Sequence, residues 1–177
     1  MFNKFLIIFL LHILTVAFAN ANSNGVSVSA GIGAIGSELG YGLFLGSPYW
    51  NEGRTSIQVG FRGNQLRGIP IGRSTQLSYG YSILDLTTLN RFYSSEVVSV
   101  YAGISALVGF PSDISSSITY ALKSSIGAEY LPTGSFFTFF SEVGVSWGIN
   151  ASATNLQGSP NYLTGVTFLM GLKKYLY

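Results

Sequence analysis

The chain has 177 residues, of which 47% are hydrophobic, 15% aromatic and only 9% charged. That charge fraction lies far below the ~25% of soluble domains, and the apolar content excludes a disordered chain. With no cysteine there is no disulfide framework or thiol nucleophile, and a formal net charge of +2 with no basic cluster beyond Lys173-Lys174 leaves no footprint for nucleic acid.

The N-terminus places Lys4 ahead of an apolar run, Phe5 to Ala19, that ends in the small-x-small sequence Ala17-Phe18-Ala19. The run is shorter than the ~20 residues that span a bilayer as a helix, so it reads as a secretory signal. Residues 1–19 are the expected signal peptide (1–21 if cleavage follows Ala21), and 20–177 the single mature domain. Cleavage removes Lys4 and His12, leaving eight basic and seven acidic side chains and no histidine. Without imidazole there is no histidine metal site or histidine base.

The mature chain alternates. Val26, Val28, Ala30, Ile32 and Ala34 share one parity, and Leu39, Tyr41, Leu43 and Leu45 a second. Ile57, Val59 and Phe61 follow, then Leu77, Tyr79, Tyr81 and Ile83. Val98 to Val108, Ile118 to Tyr130, Phe137 to Ile149 and Val166 to Leu172 complete eight sets. Period two marks β-strands, whose successive side chains point to opposite faces. Turn signals separate the sets: Gly36-Ser37, Ser47 to Gly53, Asn64 to Gly72, Asp85 to Ser95, Pro111 to Asp113, Pro132 to Ser135 and Gln157 to Asn161. The phase change between Ala34 and Leu39 is a tight hairpin at Ile35-Gly36-Ser37 or a bulge in one long strand, the latter giving seven strands. A chain whose two ends lie on one side of a barrel needs an even count, and eight is expected.

The second face decides which solvent the strands meet. It carries Gly, Ser, Thr and Gln with few charges, which suits the inside of a narrow barrel better than a water-facing sheet. The apolar face has the Val, Ile, Leu, Phe and Tyr of a lipid-facing band. Aromatics fall near the strand ends as an interfacial girdle would: Tyr49, Trp50, Phe92, Tyr93, Phe136, Trp147, Tyr162, Tyr175 and Tyr177. The expected fold is all-β, a single antiparallel up-and-down transmembrane barrel.

Eight glycine-rich alternating strands behind a signal peptide, the stretch Gly127-Ala128-Glu129-Tyr130-Leu131 before the turn Pro132 to Ser135, and a terminal aromatic, Tyr177, resemble the small outer-membrane β-barrels of Gram-negative bacteria. That is the superfamily of the outer membrane protein A barrel and its short relatives. The resemblance covers the whole mature chain. It implies a monomer in the outer membrane, in contact with membrane lipid and lipopolysaccharide, that reaches its site through the barrel-assembly machinery, with Tyr177 as the assembly signal. The positions in phase with Tyr177 include Lys173 and Gly171, which depart from the family's apolar pattern; a bulge near Lys173-Lys174 would reconcile them. Barrel enzymes of similar size depend on a histidine, so the resemblance carries over no catalytic residue.

Six charges share the small-polar parity: Glu38, Arg62, Lys123, Glu129, Glu142 and Lys173. A turn centred near Trp50 sets Glu38 opposite Arg62. Around Pro132-Thr133 the pairing sets Lys123 opposite Gly144 and one diagonal step from Glu142. A balanced inward set reads as a structural lumen network, because a buried charge without a partner is costly. No cofactor, metal or nucleic-acid partner is expected. The function expected is non-catalytic: an envelope-structural barrel or a minor small-solute channel, with a surface adhesin or host-factor-binding barrel as the alternative and a lipid-modifying enzyme behind it.

Overall fold

The computed structural model describes residues 25–111, 117–149 and 151–176. The expected signal peptide and Tyr177 lie outside them.

Eight strands form one closed antiparallel barrel, each paired to the next in chain order and the last to the first. They are β1 (Val26–Ile35), β2 (Glu38–Gly46), β3 (Thr55–Gly68), β4 (Leu77–Ser94), β5 (Val98–Pro111), β6 (Thr119–Tyr130), β7 (Thr138–Ile149) and β8 (Gly165–Leu176). β1 and β2 are a hairpin, with Ile35 paired to Glu38 and Gly36 at φ +57°, the left-handed conformation that a two-residue hairpin turn requires. The seven-strand alternative is thereby excluded. Both ends of the described chain lie at one end of the barrel, here the terminal end, with the turns after β2, β4 and β6. The hairpin, the β3–β4 connection and residues 151–164 lie at the far end.

Leu39, Tyr41, Leu43, Ile104, Leu122, Val143, Val145, Val166 and Phe168 are exposed on the outer face. Inward positions are small polar and charged residues, with buried Phe, Tyr, Leu and Ile among them. Large inward side chains rest on glycines. Phe44 lies over Gly60 and Gly42, Tyr101 over Gly127, and Phe140 against Gly31. Phe44, Phe140 and Leu169 meet inside the barrel as a small apolar cluster. An eight-stranded barrel has an interior that side chains just fill, and the glycines supply the room they need.

The structure corrects several expectations. Asp85 to Ser94 is not a connection but the second half of β4, and the true turn is Ser95 to Val97. Tyr81 and Ile83 point inward rather than to the outer face. The β3–β4 connection begins after Gly68, since Asn64 and Leu66 still belong to β3. The loop after β2 is centred at Glu52, not Trp50: Leu39 pairs with Gln65 and Gly42 with Arg62. Asn51, Glu52 and Gly53 all turn at positive φ there. Lys123 pairs with Ser146 rather than Gly144. β8 pairs with β1 in unbroken register through Lys173 and Lys174, so no bulge reconciles its two parities. Leu172, Met170, Phe168 and Val166 face outward, Lys173 and Tyr175 inward.

The girdle is also smaller than expected. Phe92, Tyr93, Phe136 and Trp147 are exposed, but Tyr49 and Tyr162 are fully buried inside, and Tyr175 turns its hydroxyl to Glu129. Tyr162 belongs to the segment 151–164, which folds back over the far mouth. Ala151, Ala153, Leu156, Tyr162 and Leu163 pack there against Ile35, Leu66, Tyr81, Ile83 and Leu107. Backbone bonds from Gln157 to Ile69 and from Ile71 to Asn155 tie this plug to the β3–β4 loop.

At the seam of closure Gly31 pairs with Gly171. A Cβ on Gly171 would run into the Ala30 carbonyl, a backbone atom that cannot swing aside. Gly171→Val is expected to reduce the fraction that folds, read as loss of the fast-migrating unboiled band on a gel. Gly80→Val, where a Cβ meets nothing within 4 Å, should fold as the parent does.

Candidate functional site: the charged lumen

Among the described residues eight charged side chains are buried inside the barrel: Glu38, Asp85, Glu129 and Glu142 against Arg62, Arg91, Lys123 and Lys173. The balance is four to four. Six were legible as inward charges; Asp85 and Arg91 were hidden by reading their segment as a turn. They fall into three layers along the axis.

In the terminal layer Glu129, on β6, takes Lys173 Nζ at 2.5 Å and Arg91 Nη2 at 3.6 Å. The Tyr175 hydroxyl donates to its second oxygen at 2.7 Å. Arg91 stacks under the Tyr49 ring, 3.6 Å from the centroid. Tyr49 reaches the lumen because the chain after β2 turns inward at Ser47-Pro48, where the Ser47 amide still bonds Ile57 O. Local sequence gives no sign of that inward turn.

In the middle layer Lys123 Nζ lies 3.4 Å from Glu142 and 3.6 Å from Asp85. Tyr101 donates its hydroxyl to Glu142 at 3.1 Å. Thr87 donates to Asp85 at 2.6 Å and shares a hydrogen bond with Ser105. Three strands thus converge on one ammonium group. A buried ion pair offsets its desolvation best where further hydrogen bonds satisfy the remaining lone pairs; Glu142 and Asp85 Oδ1 have such bonds, while Asp85 Oδ2 has only the 3.6 Å ion pair with Lys123.

The far layer differs from the expected Glu38–Arg62 pair. One step beyond the Leu39–Gln65 pair, Glu38 stands level with Leu66. Its carboxylate accepts the Tyr81 hydroxyl and, at 3.1 Å, the Leu163 amide of the plug. Leu163 itself sits at φ +57°, an uncommon conformation for a branched residue, held by this bond and by its complete burial. Arg62 has no carboxylate within ion-pair distance among the described residues, and its Nε and Nη2 make no hydrogen bond there. Its aliphatic stem lies across Gly42.

Both buried lysine ammonium groups are committed to carboxylates. No group of three or more metal-ligating side chains occurs among the described residues.

A closed eight-stranded antiparallel barrel, predominantly apolar outside and with buried charges inside, defines the fold as that of the small outer-membrane β-barrels. Among solved structures the chain is similar to the outer membrane protein Ail of Yersinia pestis, determined in a phospholipid bilayer nanodisc. The TM-score is 0.53 at 16% identity, over 87% of this chain and 100% of that one. No family model matches the sequence, and no curated protein does.

Lys123 and Glu142 should be energetically coupled. In a double-mutant cycle of Lys123→Met and Glu142→Gln, measured by urea unfolding of the refolded barrel, a coupling of about 0.5–3 kcal/mol is expected for neighbours in one network. The same cycle on Glu38 and Arg62 should give less, because no direct bond joins them.

Proposed function

We propose that the protein is an integral outer-membrane β-barrel with a structural role in the envelope, and not an open channel. The observation that carries this reading is the filled lumen: three layers of buried charge, an internal apolar cluster and an apolar plug of residues 151–164 at the far mouth. The predominantly apolar outer face supports the membrane location. The signal peptide of residues 1–19, lipid and lipopolysaccharide as neighbours, the barrel-assembly machinery as loading partner, Tyr177 as its signal and the monomeric state all belong to this proposal.

The rival readings have less support. An adhesin or host-factor receptor needs loops with reach. The hairpin turn at Gly36-Ser37 is minimal, and the segment 151–164 is turned inward. An enzyme needs an activated nucleophile, and the buried lysines are held by acids instead of serines.

Planar-bilayer recording tests the structural reading. The parent barrel should add no steady conductance, and replacing residues 152–161 by a short Gly-Ser linker should produce discrete openings. Stable, frequent openings of the parent would contradict the proposal. The membrane assignment has its own test. Ile104→Arg or Val145→Arg should each cost about 2–4 kcal/mol in vesicles if these exposed positions lie near the bilayer midplane. Equal unfolding midpoints for parent and both variants would remove it.

A further inference from the structure

Two opposite walls of the barrel differ in the apolar surface they turn outward. β4 and β8 stand four strands apart in the ring, and both run from the far end to the terminal end. Arg91 of β4 and Lys173 of β8 meet the same carboxylate, Glu129, which sets these two residues at one level. Counted back from them along each strand, Leu84 stands level with Val166, Leu86 with Phe168, Thr88 with Met170 and Asn90 with Leu172.

Ile83, Asp85, Thr87 and Leu89 point into the lumen, so Ser82, Leu84, Leu86, Thr88 and Asn90 point out. On β8 the outward run from Val166 to Leu172 is wholly apolar and exposed. On β4 only Leu84 and Leu86 are apolar in the same span. Ser82 bounds them on the far side, with Gly80 and Ser78 beyond it, and Thr88 and Asn90 bound them on the terminal side. Asn90 lies between Thr55 of β3 and Ala102 of β5, and its amide makes no side-chain hydrogen bond among the described residues.

From Ser82 to Thr88 is about 20 Å of strand at ~3.3 Å per residue. At a strand tilt of ~40° that is about 15 Å along the membrane normal, against an apolar band of ~25 Å for barrels of this kind. Tilting the barrel does not repair the shortfall. A tilt that carried Thr88 and Asn90 out of hydrocarbon would carry Ser82 and Gly80 into it. An amide or hydroxyl group is costly in hydrocarbon unless water or a partner reaches it, and an apolar span too short for its bilayer is accommodated by thinning the bilayer.

We infer that the β4 wall thins the membrane beside it, drawing headgroups and water of the terminal-side leaflet toward Asn90 and Thr88. The partner of this surface is the lipid itself. The barrel is an asymmetric insert, with a full-height apolar contact along β8 and a shallow one along β4, and lipid packing is weakened on the β4 side alone. This rests on the membrane location proposed above and goes beyond it to a local deformation.

The chain has no cysteine, so single cysteines carry spin labels without other changes. Thr88→Cys and Met170→Cys are labelled separately and folded into vesicles of dioleoylphosphatidylcholine. Power saturation then reads collisions with oxygen, which concentrates in hydrocarbon, and with a water-soluble nickel chelate. Relative to oxygen, the chelate should reach the label at position 88 several-fold more readily than the label at position 170. Adding Ser82→Leu and Asn90→Leu to the Thr88→Cys chain should bring its ratio to that of position 170. Oxygen-dominated collisions at both positions would overturn the inference and leave the membrane location standing. Chelate-dominated collisions at both would remove the membrane location and the inference with it. A high chelate ratio at position 88 that survives the two leucines would also overturn it, since the polar groups would not be its cause. Should the leucine variant fail to fold, the two singly labelled chains decide the matter.

Discussion

The pairing of β1 with β8 is the constraint on which everything else rests. Once the first strand bonds to the last, no edge remains, and strand backbone donors and acceptors are satisfied within the sheet. Closure at eight strands fixes a narrow interior. Each inward side chain must then be small, rest on a glycine or find a partner. The Gly31–Gly171 pair lets the seam close, and Gly42, Gly60 and Gly127 make room for Arg62, Phe44 and Tyr101. The same closure sends the opposite parity outward as one apolar band.

Charge placement follows from that narrowness. A buried charge in a lumen this tight is not hydrated as it would be in a porin, so the barrel carries acids and bases in equal number. They are not isolated pairs. Glu129 and Lys123 are each the centre of a three-charge group, with tyrosine or threonine hydroxyls bonded to the acids. Glu38 has another duty: it ties the segment 151–164 to the wall through the Leu163 amide. The far mouth is therefore closed by apolar packing and fastened by one carboxylate.

Strand number, the eight-stranded closed fold and six of the eight inward charges were legible from period-two alternation, because a lipid-facing band and a packed lumen impose opposite compositions on the two faces. The rule failed where the lumen itself turns apolar. Tyr81 and Ile83 face the plug, so their hydrophobicity marks the inside of β4, and reading them as outer-face residues inverts the parity of that strand. That inversion, with Thr87-Thr88 breaking the alternation, made Asp85 to Ser95 look like a turn and concealed Asp85 and Arg91. Tyr49 and Tyr162 were misplaced for a related reason. An aromatic near a strand end is an interfacial anchor only if its loop stays outside, and both loops turn in. Register depended on where each turn is centred, and a shift from Trp50 to Glu52 was enough to separate Glu38 from Arg62.

The central claim is that the outer face meets hydrocarbon while the inner face is sealed. Trp147 sits exposed on the outer face of β7, and the other tryptophan, Trp50, lies in the turn after β2. With Trp50→Phe, the fluorescence of the folded barrel in vesicles reports Trp147 alone. The account predicts strong quenching by bromine carried on the lipid acyl chains and little by aqueous iodide. Efficient quenching by iodide with none from brominated lipid would contradict it.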